Sequence, residues 1–401
     1  MGPTKPRARI VEIDILRGIA VLGMTVWDFR TPTMGVYSAG IIDDVLGRVI
    51  AFIDIDHTTH LLFSFLFGMG LVIQARSQAE GVGVIHLRKL FSLFIIGIVI
   101  GVFLDRTDIL HIYAMLGLIF LFFMKLSTKA VLTSALLLIA TPSLGRFLLS
   151  SLSYASYFGA GRRNSLTADN IMFLPYGDLV LMRAQELLQQ YGHPHVYIDY
   201  LDILPMFLFG LYAVRRSLFQ DIRGNIDVIR KVMWFSLAVY LVGLGWIFVL
   251  QHPSIKGPAG SDWLFTTYRL LSLDGRSYMV ELFVRPYTIQ ALSLFYICII
   301  VLVLQIDKVK RICLPLAGVG RLALSNYLLH CLIGTTLFFG YGLSLYGKLG
   351  IANGAALAVL VCGFQITISS WWVRKFEFGP VEWLWRSITY WKPQPFRVPI
   401  A

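Results

Sequence analysis

Stretches of about twenty mostly apolar residues, long enough to cross the hydrocarbon of a bilayer, recur from one end of this chain to the other, and charged side chains gather between them. A soluble chain would have to hide all of these stretches in one core. With 57% hydrophobic and 14% charged residues and a mean hydropathy of +0.70, there is too little polar surface to cover such a core, because soluble domains carry about 25% charged residues. Lipid is the remaining solvent, and in lipid each backbone must satisfy its own hydrogen bonds, which makes every stretch a helix. The expected fold class is therefore all-α: a polytopic integral membrane helical bundle.

Ten transmembrane helices are expected, near 11–29, 57–75, 88–105, 108–125, 129–149, 199–215, 230–250, 286–306, 315–340 and 352–374. Residues 1–401 form a single membrane domain: five spans in 1–150, an outer loop over 151–198, five more spans in 199–377, and a cytoplasmic amphipathic tail over 378–401. A shorter amphipathic stretch, Ile41 to Ile55, is expected to lie along the outer interface. With the N-terminus inside, 21 of the 35 Lys and Arg residues fall on cytoplasmic pieces. Every inner loop is then basic, as the positive-inside bias requires, and an even number of spans leaves both termini cytoplasmic. The tail interleaves Trp383, Trp385, Tyr390 and Trp391 with Glu382, Arg386 and Lys392, a pattern suited to the headgroup level.

The net charge of +12 follows from those loops, and no basic run interleaved with aromatics points to nucleic acid. Cys298, Cys313, Cys331 and Cys362 form no CxxC pair and no disulfide framework, so they read as buried structural thiols. The basic N-terminus precedes an apolar run that contains Asp14 and Arg17, with no cleavage pattern after it, and reads as an uncleaved first helix. The outer segments Ser150 to Ile198 and Gln251 to Val284 are long enough to form a lid or an acceptor platform, or to be solvated connectors. The first contains a helical stretch, Asp178 to Gln190. Gly97-x-x-x-Gly101 and Gly350-x-x-x-Gly354 permit close helix contacts.

Ionisable side chains inside a span face the bundle interior or a water-filled cavity. Arg17 and Asp28, eleven residues apart, differ by only ~20° around the first helix while lying ~16 Å apart along it. Asp14, at i−3, is placed to pair with Arg17. This polar stripe is either one wall of a buried cavity or a structural brace. Asp108 stands one turn before His111, where it can hold the imidazole in one tautomer for acid–base work or cap the helix. His57 and His60 open the second span behind Asp54 and Asp56, but two histidines at common spacing are a weak metal signal, and no metal is expected. Arg321, Asn326 and His330 lie on the ninth span, with Asn326 and His330 on one face.

The motifs RIVEIDILRGIAVLGMTVWDF, LLFSFLFGMGL and DILHIYAMLGL resemble the YeiB family of bacterial membrane proteins, a domain of unknown function (418). So do GRLALSNYLLHCLIGTTLFFGYGLSLYGKLG and WWVRKFEFGPVEWLWRSITY. That family is distantly similar to transmembrane acyltransferases, which pass acyl groups from cytoplasmic acyl-coenzyme A to acceptors across the membrane. The resemblance implies an Arg in the first helix followed eleven residues later by a polar residue. Here these are Arg17 and Asp28, where the acyltransferases have His and YeiB-like proteins Asn. It also implies a His near the end of the third span, where this chain has Ile100, and more often Gln where this chain has His330.

Two functions stay open. In an acyltransferase, Asp28, His57, His60, Asp108 and His111 are the acid–base candidates. Asp14, Arg17, Arg321, Asn326 and His330 would bind substrate, with Arg17 drawing the phosphates of coenzyme A. No tightly bound cofactor is expected; acyl-coenzyme A is the co-substrate, and the partners are membrane lipids and a small-molecule, lipid or glycan acceptor. In a transporter, the same stripe is a pathway for a small solute. Either would sit in the bacterial inner membrane.

Overall fold

The structure is a computed structural model that describes residues 10–30, 43, 45–47, 49, 55–77, 82–104, 108–160, 174–192, 194–251 and 283–397. Its helices, in chain order, are α1 Val11–Arg30, α2 Ile55–Ser77, α3 Val82–Phe103, α4 Leu110–Phe123, α5 Thr128–Ala160, α6 Tyr176–Gly192 and α7 Pro194–Leu201. They continue as α8 Leu204–Arg215, α9 Ile226–Gln251, α10 Arg285–Val303, α11 Asp307–Arg321, α12 Ala323–Phe338, α13 Ile351–Lys375 and α14 Pro380–Tyr390. Among the described residues, the nearest approach to a strand is an isolated bridge between Phe376 and Arg397.

A helix forms in each of the ten expected spans, but six (α2, α3, α5, α9, α10 and α13) are long and apolar enough on their own to cross a membrane. The others fall short for local reasons. The 20 residues of α1 include Glu12, Asp14, Arg17, Asp28 and Arg30. The 14 residues of α4 and 12 of α8 rise only ~20 Å at 1.5 Å each, against a ~30 Å hydrocarbon layer. The expected span 315–340 is corrected: α11 starts earlier, at Asp307, and meets α12 at an 80° bend. The outward faces of the long helices are apolar, with Phe91, Leu137, Phe235 and Leu360 well exposed, as lipid-facing residues are.

Three packing features position the site. First, α1 and α11 meet backbone to backbone. A Cβ on Gly320 would lie 1.8 Å from the Asp14 carbonyl oxygen, and one on Gly18 would lie 2.1 Å from that of Leu316. Second, α2, α4 and α8 wrap a central aromatic cluster in which Phe67, Tyr113 and Phe120 all pack against Phe207. Arg215 closes the end of α4 by donating to the Leu126 and Met124 carbonyls at 2.5 and 2.6 Å. Third, the glycine motifs are used: a Cβ on Gly97 would meet the His111 main chain at 2.3 Å, and one on Gly350 would meet Asp43 Oδ2 at 2.7 Å. Asp43, in the expected outer amphipathic stretch, accepts from the Ala352 N–H at 2.7 Å; most of that stretch lies outside the described residues. Asp105, the pair Arg162–Arg163 and the segment 252–282 also lie outside them.

The bend at Leu322 is sealed by the tail. A helix start has N–H groups with no intrahelical partner, and Glu382 on α14 accepts from two of them, Leu324 at 2.7 Å and Ser325 at 3.0 Å, as well as from the Ser325 hydroxyl. Burial pushes the Glu382 carboxyl above the usual carboxylate range, and the bonds from Ser325 and Leu324 pull against that shift. The tail is thus docked onto the bundle, and its Trp385 indole donates to the Lys89 carbonyl at 3.1 Å.

Candidate functional site

Two carboxylate–imidazole pairs meet inside the bundle. Asp28, near the end of α1, places Oδ2 2.8 Å from His330 Nε2 on α12; the imidazole is fully buried and the aspartate 29% exposed. Neither ring nitrogen of His330 has hydrogen-bond geometry to a partner among the described residues, so the short contact is not a directed hydrogen bond. Asp108, just before α4, lies 3.3 Å from His111 Nδ1, and both are buried. Asp108 Oδ2 also accepts the Leu110 N–H at 3.0 Å, so it caps the helix and orients the ring at once. With the Nδ1 proton directed at Asp108, His111 Nε2 is left as the basic nitrogen, and it has no hydrogen-bond partner among the described residues.

Tyr327 joins the pairs. Its hydroxyl donates to Asp108 Oδ1 at 2.9 Å, and its ring stands edge-on to His330 with centroids 5.2 Å apart. An apolar wall encloses the group: Met24, Leu93, Ile100, Leu110, Ala114, Leu324 and Cys331 pack with Tyr327. Ile100, at the position where the resemblance implies a His, is part of that wall. Low local dielectric strengthens every charge–dipole contact in such surroundings.

One expected outer segment reaches this site. Tyr191 of α6 sets its ring against His111 at 5.9 Å. Burial, with Tyr197 and Asp108 nearby, pushes its phenol up to about 12, so the hydroxyl stays protonated at neutral pH. Buried Arg183 anchors α6 by donating to the Phe103 carbonyl at 3.4 Å and lying 4.9 Å over the Phe339 ring.

The other candidates are used elsewhere. Arg17 pairs with Asp14 at 3.3 Å and remains 27% exposed; nearby Lys310 pairs with Glu12 at 2.6 Å. Buried Lys89 donates to Gln74 and lies 4.8 Å over the Trp385 ring, and the charges of Arg386 and Arg17 bear on it. Arg17, Lys89 and Arg386 thus lie near one another, on the side of the bundle where α1 begins. Asn326 donates to the Leu322 carbonyl at 3.0 Å and to Ser369 Oγ at 2.9 Å, and its main-chain carbonyl accepts from Gln365. Arg321 closes α11 at the bend. His57 is exposed at the start of α2, and the His60 carbonyl accepts from Tyr113 and Ser64 at 2.9 and 2.7 Å.

Tyr327 and Lys89 escape a reading of the sequence. Tyr327 looks like one more aromatic on an apolar helix, and Lys89 like one more inner-loop charge. The spacing Tyr327–His330, at i, i+3, was the available signal for the first.

Comparison with known proteins divides the chain at its middle. Residues 9–184 match the family described as heparan-alpha-glucosaminide N-acetyltransferase, catalytic, and residues 213–392 match the protein of unknown function family DUF418. Three bacterial relatives align over nearly their whole length. YxaH of Bacillus subtilis is 26% identical, with 98% of each chain covered. A 39.9 kDa protein from the amylase 3′ region of Bacillus acidopullulyticus is 25% identical over 97% of this chain and 96% of its own. YeiB of Escherichia coli is 28% identical over 95% and 96%. The buried carboxylate–imidazole cluster draws Asp28, Asp108 and His111 from the acetyltransferase-like half and Tyr327 and His330 from the other. The chain is thus similar to YeiB and its DUF418 relatives, and its first half is similar to a heparan-alpha-glucosaminide N-acetyltransferase catalytic region.

Proposed function

We propose that this protein transfers an acyl group from cytoplasmic acyl-coenzyme A to a hydroxyl or amine at the outer face of the bacterial inner membrane. The observation that carries the reading is the convergence of Asp28, His330, Tyr327, Asp108 and His111 in one buried cluster. In support, residues 9–184 resemble an acetyltransferase catalytic region.

Ten spans, with both termini in the cytoplasm, put the cluster towards the outer side and the cations Arg17, Lys89 and Arg386 at the inner side. There the cations suit the phosphates of coenzyme A, which Arg grips through its planar fork. His111 Nε2 takes the proton of the acceptor as its oxygen or nitrogen attacks the thioester carbonyl carbon. The new C–O or C–N bond forms, the C–S bond breaks, and the proton returns to the thiolate of coenzyme A. Asp108 steadies the imidazolium, while the Tyr191 hydroxyl is placed to orient the acceptor. A base within reach of the transferred proton accounts for about 10²–10⁴-fold of rate.

Incubating the purified protein in nanodiscs with radiolabelled acetyl-coenzyme A tests this. Slow thioester hydrolysis that is lost in His111→Gln is expected; no hydrolysis and no saturable binding would defeat the reading.

The 80° break between α11 and α12 favours a second reading, because interrupted helices mark substrate sites in transporters. Solute uptake into sealed vesicles, without thioester turnover, would select it.

A further inference from the structure

We propose that Asp28, His330 and Cys331 form a binding site for a borderline-soft divalent cation, of which Zn²⁺ is the type. The site shares residues with the cluster but needs no acyl-transfer activity to exist. One donor atom from each residue, a carboxylate oxygen, an imidazole nitrogen and a thiol sulfur, lies within 4.8 Å of the other two. That mixed N, O and S set is the kind Zn²⁺ accepts, with Zn–N and Zn–O near about 2.0–2.2 Å and Zn–S about 2.3 Å.

Two further observations point to a cation rather than to packing. The Asp28 Oδ2–His330 Nε2 separation is 2.8 Å, yet the contact lacks hydrogen-bond alignment and the buried ring has neither nitrogen bonded. Two donors held tetrahedrally to one metal at ~2.0–2.2 Å stand about 3.3–3.6 Å apart, so a small separation of this unaligned pair would admit the ion between them. Access is also provided. His330 and Cys331 are buried at 0% and 4% exposure, while Asp28 is 29% exposed and forms the mouth. Cys331 is not in a disulfide. Three protein donors leave a fourth position open, as catalytic zinc sites do. With this pair committed to the cation, Asp108 and His111 remain for proton transfer.

The full chain, purified with its affinity tag removed and stripped of metal, is titrated with Co²⁺ in detergent. The expected result is one Co²⁺ per chain, displaced by Zn²⁺, with a near-ultraviolet thiolate-to-cobalt absorption band. The band is lost in Cys331→Ser and kept when Cys298, Cys313 and Cys362 are all changed to Ala. Affinity falls at least tenfold in His330→Gln and Asp28→Asn, and is unchanged in His57→Ala/His60→Ala. A wild-type protein that binds no Co²⁺, or binds it without the thiolate band, overturns the proposal whether or not any variant folds. Binding unaltered in folded Cys331→Ser and His330→Gln overturns it equally. Loss of thioester turnover in a protein that still binds Co²⁺ would count against the acyltransferase reading alone.

Discussion

The Tyr327 hydroxyl donates to Asp108 Oδ1 at 2.9 Å, although 219 residues of chain separate the two. This bond ties α12 to the start of α4, and His330 lies one turn further along α12. Tyr327→Phe keeps the ring and removes the bond. A buried hydrogen bond is worth about 0.5–1.5 kcal/mol, so a lower melting temperature is expected, together with a drop of roughly tenfold or more in thioester turnover. Thermal unfolding and hydrolysis assays on the same sample check both, and unchanged turnover would detach Tyr327 from the chemistry.

Gly320→Ala is expected to be among the most damaging small substitutions. Its methyl would sit 1.8 Å from the Asp14 carbonyl oxygen, and backbone cannot step aside as a flexible side chain can. Overpacking of this kind destabilises by about 1–3 kcal/mol or more. Gly70→Ala is the control: nothing lies within 4 Å of its Cβ, and alanine favours helix by about 0.8–1.0 kcal/mol. Melting curves should move in opposite directions.

The pairing of Asp14 with Arg17 at 3.3 Å makes a double replacement informative. Asp14→Leu with Arg17→Met should fold, because buried ion pairs exchanged for apolar residues often cost little. Acyl-coenzyme A binding should still be lost. Arg17→Lys keeps the charge but not the planar fork, so weakened binding is expected at equal stability. Calorimetric titration in nanodiscs measures both, and full binding in either variant would reduce the stripe on α1 to a brace.

Glu382 predicts a pH dependence whose sign is fixed. Burial raises its folded-state carboxyl above the unfolded value, so the folded chain holds a proton that the unfolded chain has released. Its contribution to stability is therefore present below the unfolded pKa and declines as pH rises through the folded one. Glu382→Gln should flatten this decline, and denaturation curves taken from acid to neutral pH report it. A variant whose stability keeps the wild-type slope would assign the dependence to other groups.

Topology is checked on a background lacking the native cysteines. Cysteines at positions 80 and 398 should be shielded from an impermeant reagent in intact cells, and those at 160 and 260 should react. A labelled residue 398 would break the ten-span arrangement.

Much of the fold and the first-helix half of the site is legible in the sequence. Helical periodicity alone puts Arg17 and Asp28 on one stripe, and the spacing of Asp108 and His111 alone implies their contact. The bend at Leu322 is not legible in the same way. In the run Gly318, Val319, Gly320, Arg321 and Leu322 only Arg321 interrupts the apolar pattern, and a hydropathy window long enough to span a bilayer carries across it. What breaks the helix is the close approach of α1 at Gly320 and the carboxylate of Glu382, neither of them a local signal. Cys331 reads as a structural thiol until Asp28, three hundred residues away in sequence, is seen beside it.

The seal at the α12 start also sets an order of assembly. The carboxylate that completes this helix lies 58 residues downstream of Leu324, so α12 and α13 must enter the bilayer while the break is still open. A chain that stopped after α13 would have every expected span in place and an unfinished helix start facing the docking site of the tail. The group that completes the bend is therefore made only after both helices that lie between the break and the tail.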